Sequence, residues 1–214
     1  MMTETVAIQW FEAKSPIAQF VFAHGAGAGS DSDFMQDMAK KLSLAGINVA
    51  LFDFEYMETA KAQNKKRPPD RAPKLLNRYQ QVLSQIDTDL PLFIGGKSMG
   101  GRMASMLACE TQSPVCGVIA FGYPFHPPGK PDKLRVEHFG DIPCPFLVLQ
   151  GERDTFGTKS EISDLSFDMT PHFVWLPDGD HSLKPRKASG FTEQQNRQEA
   201  VNSTLQFIQG ICHG

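Results

Sequence analysis

Hydrophobic positions along the chain fall into two alternating kinds of segment. Seven short apolar runs, at residues 6–11, 17–23, 47–52, 92–95, 117–121, 146–150 and 172–176, have the length of strands. Several are apolar throughout rather than at every second position, the pattern of strands covered on both faces of a parallel sheet. Between them, apolar residues recur at helical spacing. Phe34, Met38, Leu42 and Ala45 make one stripe, opened by Asp31 or Ser32 as a cap and closed by Gly46. Leu75, Tyr79, Val82 and Ile86 make a second, and residues 102–108 a third. Residues 160–167 read as a short helix, and Thr192-Glu193-Gln194-Gln195 as a capping box opening a helix that carries Ala200, Val201, Leu205 and Ile208.

Strand–helix alternation with short connections predicts the α/β class: a doubly wound, mostly parallel sheet with helices on both faces and right-handed crossovers. With no repeat and no composition break, residues 1–214 read as one domain. Two connections are long. Residues 54–73 are polar and proline-containing, and they overlap a basic run of Lys61, Lys65, Lys66, Arg67, Arg71, Lys74 and Arg78 against the single acid Asp70. That run is either a solvated loop and helix face or a rim for an anionic substrate or acidic partner. Residues 122–144 are rich in proline and aromatics. Long connections in compact domains often serve function.

Composition narrows the classes. The net charge of −3 gives no footprint for nucleic acid. No N-terminal basic-then-apolar stretch suggests a signal peptide, and no run reaches the length of a membrane span. Cys109, Cys116, Cys144 and Cys212 lack C-x-x-C spacing, and the six histidines lack zinc-like pairing. The expectation is a cytoplasmic protein with ordinary thiols, no metal, no cofactor and a small-molecule substrate.

Gly96-Lys97-Ser98-Met99-Gly100 has the form G-x-S-x-G between a predicted strand and a predicted helix. That context is a nucleophile elbow, which presents a serine at the carboxyl edge of a sheet. Its bland alternative is a glycine-rich turn packing a strand on a helix. A P-loop reading of Gly96-Lys97-Ser98 fails because Pro91 stands where that motif needs glycine. A serine hydroxyl needs a base, and the base an orienting carboxylate. Asp154 follows the run 146–150 in Gly151-Glu152-Arg153-Asp154, with Glu152 a weaker rival. His181 follows the run 172–176, with Asp178 and Asp180 beside it as groups that modulate it. Amides to hold an oxyanion are expected from Met99 and from Ala26, in the loop His24-Gly25-Ala26-Gly27-Ala28-Gly29, where Gly25 and Gly27 permit close approach. A dinucleotide reading of that loop fails on its spacing. Lys97, Arg102 and His24 are candidates for the substrate rim, Lys97 and Arg102 favouring an anionic substrate.

With these motifs, the chain resembles the α/β-hydrolase superfamily, its small lidless dienelactone-hydrolase-like members above all. It is similar also to the hydrolase-like domain of testis-expressed proteins and of an NSL chromatin-complex subunit. Dienelactone hydrolases proper carry cysteine where this chain has Ser98. The resemblance implies an α/β-hydrolase core with no large cap domain and a Ser98–His181–Asp154 triad. It implies hydrolysis of a carboxylic ester or thioester of a small acyl group through an acyl-enzyme. The alternative is a module that keeps the fold and only binds.

Overall fold

In a computed structural model, residues 5–111, 114–169 and 171–212 are described; the expected 1–214 span includes positions outside them. Seven strands form one sheet: β1 (Ile8–Phe11), β2 (Ala18–Ala23), β3 (Ile47–Phe52), β4 (Leu92–Lys97), β5 (Gly117–Phe121), β6 (Phe146–Gly151) and β7 (His172–Leu176). Their order is β1-β3-β2-β4-β5-β6-β7. Only the edge strand β1 runs antiparallel, against β3. The others pair in parallel, so the carboxyl ends of β2, β4, β6 and β7 share one rim of the sheet. This is the doubly wound architecture that the alternating segments predict, without a large cap.

Alternate residues of each strand feed two cores. Phe20 and Phe22 of β2, with Val49 and Leu51 of β3, meet α1 (Asp33–Leu44) and α6 (Glu193–Cys212) on one face. Val21, Ala23, Ala50 and Phe52 point to the other face, against α3 (Ala72–Leu83) and α4 (Met99–Glu110). Both faces of the strands are therefore apolar, as parallel pairing demands. The predicted capping box is present: Thr192 Oγ1 accepts from the Gln195 N–H and Gln195 Oε1 accepts from the Thr192 N–H.

Three expectations change. Residues 54–73, read as a polar connection, contain a helix, α2 (Glu55–Ala62). Its sequence is helix-compatible without an apolar stripe: Glu55 and Glu58 lie in the first turn and Lys61 in the last, matching the helix dipole, while only Tyr56 is buried. The helix expected over 160–167 is the five-residue α5 (Lys159–Ser163), capped by Thr158 and Glu161. Phe34, expected on the buried stripe of α1, is only half-buried, and Met35 takes the core position instead. The connection 122–144 packs its start and its aromatics inward, with Tyr123, Phe125 and Phe139 fully enclosed, and leaves residues 128–133 exposed.

Tyr79 of α3 reaches under the sheet behind the elbow. Its hydroxyl lies 2.7 Å from the Val21 carbonyl and 2.8 Å from the Gly95 carbonyl, and accepts from the Gly95 N–H at 3.0 Å. Tyr79→Phe leaves that buried N–H without this partner. The substitution is expected to cost about 1–3 kcal/mol in urea denaturation; an unchanged midpoint would refute the role.

Candidate active site

Ser98 sits between β4 and α4 with φ +52° and ψ −116°. A non-glycine residue holds such a backbone only where its surroundings force it. The forcing is visible at the glycines. A Cβ on Gly96 would lie 2.3 Å from the Gly100 carbonyl carbon, and one on Gly100 would lie 2.4 Å from the Ala23 carbonyl oxygen. Strand and helix therefore touch backbone to backbone. The Ser98 N–H is tied to the Phe121 carbonyl at 3.0 Å.

From that turn a continuous line of hydrogen bonds leads inward. Ser98 Oγ is 2.7 Å from His181 Nε2, and His181 Nδ1 is 2.8 Å from Asp154 Oδ2. Asp154 is fully buried, so its carboxylate depends on protein donors. Oδ1 accepts from the Phe156 N–H at 2.9 Å, and Oδ2 also from Gln150 Nε2 at 2.9 Å. The carboxylate requires the Nδ1–H tautomer, which leaves Nε2 free to accept the serine proton. The Phe156 ring stacks on the imidazole at 4.2 Å. Burial lowers the His181 pKa below its ordinary value; Asp154 and Asp180 oppose the shift and the Lys97 charge adds to it.

Gln150 and Phe156 escape a reading of sequence alone. Gln150, next to last in β6, is a fully buried polar group, with Oε1 accepting the Tyr123 N–H at 2.7 Å. A glutamine closing an otherwise apolar strand was the signal. Glu152 is occupied elsewhere, by Lys159 Nζ and the Asp178 N–H. Asp178 braces the histidine loop through Arg153 and Arg186, and Asp180 through the Ser182 and Lys184 amides.

The structure moves two of the three rim candidates, His24 and Arg102, off the serine cavity and keeps the third, Lys97, on its wall. His24 is fully buried: Nδ1–H donates to the Gly25 carbonyl at 2.7 Å and Nε2 accepts from the Phe54 N–H at 3.1 Å. Burial lowers its pKa, so the ring near Asp53 is neutral. Arg102, one helical turn past Ser98, does not line the serine cavity; its charge adds to burial in lowering the pKa values of Arg135 and His138. Lys97 is buried; its ammonium donates to the His181 carbonyl and lies 5.6 Å from the centre of the Phe34 ring. Burial brings its pKa down to about 8.

His24 has a different part in the geometry. The Gly25 carbonyl is held by His24 Nδ1 and by Tyr56 Oη at 3.2 Å, and the Ala26 carbonyl by Tyr56 Oη at 3.0 Å. In a planar trans peptide the carbonyl and the following N–H point opposite ways. Tying the Gly25 carbonyl back therefore turns the Ala26 N–H away from His24 and Tyr56. The Met99 N–H is the first of α4, among those a helix leaves unpaired. Glycine is not demanded here by packing: a Cβ on Gly25 would make ordinary contacts and one on Gly27 would meet nothing within 4 Å.

Ser98 and His181 open into a cavity of about 320 Å³, walled by Ala26, Phe34, Met35 and Phe156. It is small and largely apolar. Larger hollows elsewhere, such as that beside Pro73 and Leu107, contain neither residue.

A family model described as an alpha/beta hydrolase domain matches residues 16–209. Among solved structures, the chain is similar to dienelactone hydrolase from Anabaena variabilis, with a TM-score of 0.63 and 19% identity over 95% of this chain and 89% of that one. It is similar to an α/β serine hydrolase without a lid from Xanthomonas campestris, with a TM-score of 0.64 and 18% identity over 96% and 86%. A third is the monoacylglycerol lipase of Paleococcus ferrophilus, with a TM-score of 0.67 and 13% identity over 94% and 98%. At these identities the likeness is one of fold.

Two measurements follow from the buried bases. Both His24 and His181 have pKa values below the ordinary 6.5. Below that pH the unfolded chain takes up protons that the folded imidazoles refuse, so stability is full above it and falls as pH drops toward the folded values. Urea midpoints are expected to fall between about pH 7.5 and about pH 5.5, and less steeply in His24→Gln; equal slopes would exclude His24 as a source. Lys97→Met removes a cation beside His181. The His181 titration, followed by NMR of its ring proton, is expected to move to higher pH, and a move to lower pH would reverse the assignment.

Proposed function

The chain belongs to the alpha/beta hydrolase domain family, and from that premise we propose that it is a serine hydrolase of carboxylic esters or thioesters bearing a small acyl group. The observation that carries this reading is the unbroken line from Ser98 Oγ through His181 to a buried Asp154.

Ser98 Oγ attacks the carbonyl carbon as its proton passes to His181 Nε2. The carbonyl π pair moves onto oxygen, and the resulting oxyanion faces the Ala26 and Met99 amides. Each donor of this kind lowers the barrier by about 3 kcal/mol. The tetrahedral species collapses, the C–O or C–S bond breaks, and the leaving group departs with the proton from His181. Water then repeats the sequence on the acyl-enzyme and frees Ser98. Asp154 orients the ring and stabilises the imidazolium throughout. The cavity of about 320 Å³ supports a short acyl chain over a long lipid. We take the whole chain as one domain. The narrower likeness to testis-expressed and chromatin-complex proteins rests on the motifs.

A fluorophosphonate probe is expected to add once, at Ser98, by intact mass and peptide mapping. Ser98→Ala should abolish the adduct and His181→Ala suppress it. Hydrolysis of a short-chain thioester should fall by a factor on the order of 10⁴ or more in either variant. Folded protein that takes no adduct would sink the reading in favour of a module that only binds.

A further inference from the structure

Two hollows meet at the oxyanion loop. On one side of Ala26 and Gly27 lies the apolar cavity over Ser98. On the other, the same two residues border a groove of about 490 Å³ whose remaining wall carries Lys61, Lys65, Lys66 and Arg67 over Met57 and Ala60. No carboxylate lines this groove.

Its cations differ in what they already hold. Lys61 is spent on Asp53 at 2.5 Å and Asp31 at 2.8 Å, and so braces the loop. Arg67 donates to the neutral Gln63 at 3.0 Å. Among the described residues, the side chains of Lys65 and Lys66 have no hydrogen-bond or ion-pair partner. The rest of the basic run is neutralised or lies elsewhere: Lys74 pairs with Glu55 and Asp70, and Arg78 with Glu58. Apart from the exposed Arg71, the unpaired cations of the run therefore stand at the groove that borders Ala26 and Gly27.

The backbone fixes where these residues stand. Asn64, at φ +48°, ends α2 in the left-handed region. Its N–H bonds the Lys61 carbonyl, and the Lys65 N–H bonds the Ala60 carbonyl at 3.0 Å. This helix-terminating turn sends residues 65–67 back beside the oxyanion loop. Tyr56, in the first turn of the same helix, holds the carbonyls of Gly25 and Ala26. The groove and the oxyanion loop are therefore two faces of one anchored unit.

We propose that this groove receives an anionic, phosphate-bearing leaving group, while the acyl group of the same ester or thioester occupies the apolar cavity at Ser98. The inference rests on the acyl-enzyme reading for which end of the substrate lies where; the anion site itself does not. The division follows the walls: an apolar chamber suits a short acyl chain, and two free ammonium groups with a planar guanidinium suit a phosphate dianion. An exposed cationic groove works largely by raising the local concentration of its ligand, so the effect should weaken with salt.

The test has a binding arm and a turnover arm. Inorganic pyrophosphate is titrated by calorimetry into the wild-type protein, Ser98→Ala and the Lys65→Glu/Lys66→Glu double variant, at low and high salt. Binding is expected in the first two alike, weakened by salt, and at least about tenfold weaker in the charge reversal. Equal affinity in all three, or none in the wild type, overturns the anion site whatever the serine does. For turnover, butyryl thioesters of pantetheine and of 4′-phosphopantetheine share the acyl group and differ in the leaving group's phosphate. The wild type is expected to prefer the phosphorylated thioester by about tenfold in kcat/KM, and the charge reversal to remove that preference. An unchanged preference overturns the assignment. If neither thioester is cleaved and no fluorophosphonate adduct forms, the acyl-enzyme reading and the leaving-group placement fall together, while calorimetry still decides the anion site.

Discussion

The site depends on a contact that leaves no room for side chains: the backbone of β4 lies directly against the first turn of α4. Gly96 allows it, since a methyl group there would fall well inside contact distance of the Gly100 and Gly101 main chain, and Gly100 allows the same helix turn to lie on the Ala23 main chain of β2. With helix and strand held that close, the connecting residue has no relaxed path, and Ser98 takes a positive φ. The serine is thereby raised at the carboxyl end of the sheet. Parallel pairing does the rest, because the register aligns Ala23 with Gly96 and Gly151 with Leu176. The loops holding Ala26, Asp154 and His181 all leave from that one rim.

The strands, most helices and the three residues of the hydrogen-bonded line were legible because they rest on local signals. Continuous apolar runs mark strands, and glycines flank the serine. The acid and the histidine each follow an apolar run closely. What was not legible depended on direction. Lys97 is adjacent to Ser98 in sequence, and adjacency suggested a rim. Lys97 does line the serine cavity, but as the last residue of β4 it is buried, with its ammonium turned toward the His181 carbonyl and not outward. His24 was misplaced for the same reason. The helix α2 was hidden because it buries little beyond Tyr56 and so carries no hydrophobic period.

The least visible layer is the one that aims the visible one. Gln150 and the Phe156 amide hold the Asp154 carboxylate, and Phe156 covers the imidazole. His24 and Tyr56 hold the carbonyls of Gly25 and Ala26 and so turn the peptides of that loop. All four are ordinary residue types in ordinary positions, and their roles exist only once distant segments meet. Lys97 belongs with them, since its charge opposes protonation of the His181 ring, whose carbonyl it holds.

The packing of His181 sets a limit on motion. One ring nitrogen is fixed to a buried carboxylate, one faces the serine, and an aromatic face lies on the ring at 4.2 Å. Swinging the imidazole between two sites would break the first bond and the stack together. Under the proposed chemistry, the proton must then enter and leave through the same atom, Nε2. The molecule has a single proton port. The departing alcohol or thiol and the incoming water must use it in turn, so the enzyme is built for a strict order of events in which the first product vacates before the second reactant arrives.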